Sequence, residues 1–351
     1  MAKLEENYSL HDAVTFKIVD KPSFLSNFLG DIHTEYENFE NKLVKNPDFT
    51  IDIGDFTPDN ENSCILDNKY YVKHNYFYCS DSYKTAKWKF EMSGFENGDM
   101  KVRIYADNLF TSMIISGFLV DPLINFKLSE KGLSLVHASC VSKDNCGYLF
   151  TAQGGGGKTS NALYSVERGF DFLGDNFTII DNGLVRSFLS PLNVFSFNLA
   201  PIVKKNMGRK SKVEYLFKNL LHKVTGLRVV TKINVKDIFS KSLVDISKLD
   251  SAFLLIPKNR FKIERIGRKE LISHMVANMK LDSFPFIKYM MEYSYIFPKS
   301  RMATHWQRYT QNLNTNINND ISAYRVEVPK TYDMSTFEEI WGRIQTGITR
   351  K

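Results

Sequence analysis

Polar and apolar positions alternate along much of the first part of the chain, the period-two pattern of half-buried strands. Residues 15–19 (TFKIV) and 49–53 (FTIDI) alternate cleanly. Residues 69–78 (KYYVKHNYFY) are aromatic with polar interruptions and read as one strand, with His74 as a surface residue on it. Residues 88–92 and 100–105 flank Glu96-Asn97-Gly98-Asp99, and an Asn-Gly between alternating runs predicts a hairpin. Residues 108–130 then carry apolar positions at helical spacing.

Beyond that helix the pattern changes. Residues 133–141 (LSLVHASCV) read as a strand, 143–147 as a turn and 148–151 (YLFT) as a second strand. A glycine run follows, and then a helix from Lys158 to Arg168 closed by Gly169. Residues 170–181 and 184–189 read as strands joined at Asn182-Gly183. Further on, 214–223 and 270–279 read as helices, 252–256 and 324–328 as strands, and the Asn-rich 312–320 as a loop. A last helix is expected from Ser335, where Glu338 completes a capping box. The expected division is a β-rich domain over 1–125, serving a substrate or partner, and a second domain over 126–351.

Composition narrows the classes. The chain has 351 residues, 43% of them hydrophobic and 13% aromatic, which supports packed cores rather than disorder. The longest apolar run, 109–120, falls short of the ~20 residues a bilayer span needs. No charged-then-apolar leader opens the sequence, so a cytoplasmic protein without a membrane partner is expected. Cys64, Cys79, Cys140 and Cys146 lack zinc or disulfide spacing and read as free thiols.

The chemistry concentrates in Ala152-Gln153-Gly154-Gly155-Gly156-Gly157-Lys158-Thr159, which has P-loop spacing with Ala in place of the first Gly. Glycines let backbone N–H groups turn toward phosphate oxygens without a Cβ in the way. The Lys158 ammonium then reaches the β- and γ-phosphates, and the Thr159 hydroxyl ligates Mg²⁺. Ser160 continues the helix, whose N-terminal end favours the same anions. The expected cofactors are ATP or another nucleoside triphosphate with Mg²⁺, held by residues 153–160. Asp175 follows the next strand and is expected near the γ-phosphate, with Gly174 beside it allowing close approach to a ligand.

His137-Ala138-Ser139, a strand hairpin, Gly-x-Gly-Lys-Thr and then Arg168-Gly-Phe-Asp-Phe-Leu-Gly-Asp175 resemble the HPr kinase/phosphorylase family over about residues 137–189. The resemblance implies an α/β fold: a P-loop kinase core of the HPr kinase/phosphoenolpyruvate carboxykinase type, with a β-rich N-terminal domain. It also implies that Asp175 is the base toward a substrate hydroxyl and that His137 lies at the same reaction centre. The sequence departs from that family at Ser160, where those kinases carry Glu, and at Asn176, where they carry a second Asp. Asn176 still offers a carbonyl oxygen to a metal held by Thr159 and Asp175. The signature loop for binding HPr is not recognisable, so a different acceptor is expected.

The leading functional expectation is therefore an ATP-dependent kinase acting on a hydroxyl of a peptide, protein or small molecule. A phosphoenolpyruvate carboxykinase-like enzyme and a nucleotide-binding regulatory protein are the alternatives. The net charge of +7 is uneven: over 200–236, Lys204, Lys205, Arg209, Lys210, Lys212, Lys218, Lys223, Arg228, Lys232 and Lys236 face Glu214 alone. Solvated helix faces are the first reading of that stretch, an anionic acceptor the second and nucleic acid the last. A homo-oligomer is left open, and Arg268 and Arg301 are candidates for one more cation at the γ-phosphate.

Overall fold

The computed structural model describes residues 4–20, 32–83, 86–107, 116–194, 199–225, 230–329, 337–338 and 341–342. The chain divides into two compact units, Met1–Gly132 with Lys280–Tyr309, and Leu133–Met279 with Thr310–Lys351. Both carry sheets and helices, so the class is mixed α/β.

The first unit is built on an eight-stranded sheet. Its strands are β1 (Leu4–Leu10), β2 (Val14–Asp20), β3 (Phe49–Ile53), β4 (Cys64–Leu66), β5 (Tyr70–Lys73), β6 (Tyr76–Tyr83), β7 (Ala86–Ser93) and β8 (Met100–Ala106). They lie in the order β1-β2-β3-β8-β7-β6-β5-β4. The alternation does what it predicts: in β8, Met100, Val102 and Ile104 are buried while Lys101, Arg103 and Tyr105 are exposed. Residues 69–78 are not one strand. They fold as the β5–β6 hairpin, turning at His74-Asn75, where Asn75 takes φ +59°. The β7–β8 hairpin forms as expected, but through the longer link 94–99 rather than a two-residue Asn-Gly turn. Gly94 must be glycine there, since a Cβ would sit 1.9 Å from the Asp99 carbonyl oxygen.

The second unit holds β9 (Ser134–Val136), β10 (Ala138–Lys143), β11 (Cys146–Thr151), β12 (Asp171–Gly174), β13 (Thr178–Asp181) and β14 (Leu184–Arg186). Strands β15 (Leu192–Val194) and β16 (Thr231–Ile233) form a separate pair. β17 (Ile246–Pro257), β18 (Lys262–Arg265) and β19 (Ser322–Val328) complete the main sheet. Its order is β12-β10-β11-β17-β14-β13-β9, with β19 between β17 and β18. The Asp144-Asn145 and Asn182-Gly183 turns both take positive φ, as two-residue hairpins require.

Two expected strands are each broken in the middle. Residues 133–141 split at His137 into β9 and β10, and 170–181 split at 175–177 into β12 and β13. The sheet order explains why: β10 and β12 lie on one side of β11, and β9 and β13 pair with each other beyond β14. Each chain segment must leave one part of the sheet and cross to another. Period two cannot reveal such a crossing, because the residues remain apolar on both sides of it.

The helices used below are α1 (Lys158–Glu167), α2 (Arg209–Thr225), α3 (Arg268–Asp282) and α4 (His305–Asn316). The loop expected over 312–320 is helical up to Asn316, because burial of Leu313 and Ile317 outweighs the weak helix preference of asparagine. Ser335, the expected start of a last helix, and most of the apolar run 109–120 lie outside the described residues. No described helix is long and apolar enough to cross a membrane.

Candidate functional site: a glycine loop facing a buried carboxylate

Strand registers bring the three motif segments to one edge of the sheet. β10 runs antiparallel to β11, with Ala138 opposite Thr151, and antiparallel to β12, with Cys140 opposite Gly174. The residue entering β10 (His137) and the residues leaving β11 (Ala152) and β12 (Asp175) therefore emerge together. This follows from pairing alone, before any side chain is considered.

The loop from Ala152 to α1 is shaped by its glycines. Gly155 and Gly157 adopt φ +77° and +90°, conformations that other residues rarely take. Gly156 is constrained by space instead, since a Cβ there would lie 2.5 Å from the Ala152 Cβ. Ala152, which replaces the usual first glycine, thus fills the volume that Gly156 leaves. Gln153, Gly154 and Gly155 are exposed, and a Cβ on Gly154 or Gly155 would meet nothing within 4 Å, so the face of the loop is open. Lys158 opens α1, is buried, and donates from Nζ to the Ala152 carbonyl oxygen at 2.7 Å. Ser139 Oγ holds the Lys158 carbonyl at 2.9 Å, and Asn161 Nδ2 holds that of Gly157 at 2.9 Å. Ser160, in the first turn of α1, is partly buried.

Thr159 and Asp175 meet directly. The Thr159 hydroxyl lies 3.0 and 2.8 Å from the two carboxylate oxygens of Asp175. Burial pushes the Asp175 carboxyl above its ordinary range. The Thr159 hydroxyl, the Lys158 charge, the Asn176 backbone N–H and His137 pull the other way, in that order of size. Asn176 takes φ +74°, which turns the chain sharply after the carboxylate. The His137 ring stands 5.6 Å from the ring of Phe177. Thr159 and Asp175 offer hard oxygen donors within 3.0 Å of each other, a donor set that suits Mg²⁺. Among the described residues no three or more His, Cys, Asp and Glu side chains gather into a group that could hold a metal ion.

Gly174 has a different reason from the one expected. A Cβ there would sit 2.6 Å from the Phe177 carbonyl oxygen and 3.0 Å from that of Phe188, so the glycine admits the chain's own backbone, not a ligand. Arg268 and Arg301 are engaged elsewhere. Arg268 donates to the carbonyls of Asn314 and Ile317, and Arg301, in the first unit, pairs with Glu130.

Asn278, on α3, is a residue the sequence did not single out. Its amide nitrogen lies 3.0 Å from the Ala152 carbonyl oxygen, 3.1 Å from that of His137 and 3.2 Å from Thr151 Oγ1. One buried amide thus ties the start of the glycine loop to the His137 crossing. A lone asparagine more than a hundred positions away in sequence carries no local signal of this.

No protein-family model and no curated protein matches the sequence. Among solved structures, the HPr(Ser) kinase/phosphatase from Coxiella burnetii aligns with 62% of this chain and 97% of its own, at 12% identity and a TM-score of 0.28.

Proposed function

We propose that the chain is a nucleotide-dependent kinase whose P-loop, residues 153–160, binds the triphosphate of ATP or a related nucleotide. The observation that carries this reading is the contact of the Thr159 hydroxyl with both oxygens of a buried Asp175, immediately after Lys158 and the open glycines. An open glycine loop, a helix N-terminus and a lysine make a site for phosphate. A carboxylate raised by burial makes a proton acceptor close to it.

In the proposed reaction, Asp175 takes the proton of an acceptor hydroxyl. That oxygen forms its bond to the γ-phosphorus, while the bond from γ-phosphorus to the bridging oxygen breaks and its electron pair leaves with ADP. Lys158 offsets negative charge on the transferred group. Thr159 and Asp175, with Asn176 beside them, are the residues that would hold Mg²⁺, which supplies further charge neutralisation at the β- and γ-phosphates. Asn278 and His137 position the loop and the carboxylate rather than touch the transferred group. The acceptor is a hydroxyl on a peptide, protein or small molecule.

The direct test is calorimetry of Mg²⁺-ATP binding to wild type and Lys158→Ala. Loss of binding in a variant with an unchanged far-ultraviolet dichroism spectrum is expected. Equal affinity in the two proteins would remove the reading.

A further inference from the structure

Helix α2 faces the wrong way for a core helix. Val213, Leu216, Phe217 and Leu220 recur at i, i+3, i+4 and i+7, the spacing of one apolar stripe. Such a stripe normally lies against the protein. Here those four side chains are 68%, 64%, 50% and 60% exposed, while Lys218, on the opposite side, is 2% exposed. Its ammonium is fully provided for inside: it pairs with Glu214 at 2.6 Å and donates to the Val230 carbonyl at 3.1 Å. The same pairing turns the single acid of residues 200–236 toward Lys218. What the helix presents outward is the stripe together with exposed Arg209, Lys210 and Lys212, and Lys204 and Lys205 just before it. Burying a lysine while exposing four large apolar groups is costly in water, so the arrangement fits a second surface.

We propose that α2 docks this protein onto an anionic lipid bilayer, the stripe entering the headgroup–acyl boundary and the basic side chains meeting the headgroups. Charge chooses the occupant. A second copy would bring another basic helix against this one, in a chain already at +7. A groove on another protein is read by polar groups placed around the anchors, but among the described residues the exposed side chains of this helix are apolar or cationic. Those two properties are what an interfacial helix needs. The basic stretch read from the sequence as solvated helix faces, without a membrane partner, thereby acquires a different role. The attachment is peripheral, in keeping with the absence of a crossing helix among the described residues.

The test is co-sedimentation of the full chain with vesicles of phosphatidylcholine alone and with about 30% phosphatidylserine. Wild type should bind the anionic vesicles, bind the neutral ones weakly, and be released by salt. Leu216→Ser with Phe217→Ser should weaken binding by about tenfold or more, through loss of buried apolar area. Lys210→Glu with Lys212→Glu should weaken it by a similar factor. All four positions are exposed, so melting temperatures should stay within about 2 °C of wild type. Phe217→Trp should show blue-shifted emission only with anionic vesicles. Wild type that ignores anionic vesicles overturns the proposal, as does binding that survives the double serine change. Sedimentation velocity and an oligonucleotide titration identify the replacement. Self-association abolished by Leu216→Ser with Phe217→Ser would assign the face to a second copy, and oligonucleotide binding without lipid binding would assign it to nucleic acid.

Discussion

Glu91 in the first unit and Asp175 in the second are both almost fully buried, at 5% and 6% exposure, yet they are buried in opposite ways. Glu91 is saturated. Arg103 approaches one of its oxygens with Nε at 2.5 Å, and the Tyr76 hydroxyl donates to the other at 2.8 Å. A full positive charge and a phenol leave such a carboxylate nothing further to do. Asp175 instead receives the neutral hydroxyl of Thr159, and although the Lys158 charge and the Asn176 N–H also favour its ionised form, burial outweighs them and makes its proton harder to remove. A carboxylate kept short of charge compensation beside an open loop is poised to take a proton or a cation. Burial of an acid alone does not separate a site from a scaffold; how completely the charge is answered does.

The largest effect that tests this contrast is on transfer. Asp175→Asn keeps the size and one acceptor oxygen for Thr159 but removes the proton acceptor. Phosphoryl transfer in an ATP-to-ADP assay with candidate acceptors should fall by about 10²–10⁴, with ATP affinity little changed. Glu91→Gln should leave the rate per folded molecule as it was. Full activity in Asp175→Asn would exclude the base, whereas intact transfer with weakened Mg²⁺ dependence would make Asp175 a metal ligand only.

Stability should run the other way. Glu91→Gln removes the charge that answers Arg103 and should cost about 1–3 kcal/mol in denaturant melts. Asp175→Asn should stabilise the nucleotide-free protein by about 0.5–2 kcal/mol, the usual exchange between function and stability. The pH dependence follows from the direction of the shift. The folded-state value of Asp175 lies above its ordinary 3.8, so the folded protein holds this proton more tightly than the unfolded chain does. The Asp175 contribution is therefore most favourable below the ordinary value and declines as pH rises through the folded-state value. Asp175→Asn should lose that part of the decline. Equal pH slopes in the two proteins would mean that Asp175 is not raised by burial.

Local chemistry was the part of this molecule that the sequence disclosed. The glycine loop, the helix after it, the Asn182-Gly183 turn and the placing of Lys158 and Thr159 in the first turn of that helix all depend on neighbours within a few residues. What stayed hidden depends on the sheet. The break at His137 follows from which strands β9 and β10 join, and neither choice alters the apolar pattern. From the sequence Gly174 reads as room for a ligand, because sequence does not show that the Phe177 and Phe188 carbonyls occupy that space. The stripe on α2 was legible as helix, but periodicity gives the spacing of an apolar face and not whether it points inward.

Smaller than either carboxylate effect is the one expected at His137. Its backbone carbonyl is held by Asn278 and its ring lies 5.6 Å from that of Phe177, which in the proposed site makes it a positioning residue. Its influence on Asp175 is the weakest of the four that oppose burial, and it acts to lower the pKa of that carboxyl. Removing it should let Asp175 rise further, so the acid limb of the pH–rate profile should move to higher pH. In His137→Ala the plateau rate should fall less than in Asp175→Asn, by about tenfold or less. A plain packing role would lower the rate or the melting temperature without moving the limb. Comparing profiles for His137→Ala and His137→Asn, the latter retaining a polar group, separates the two cases: an acid limb unchanged in both would reduce His137 to scaffold.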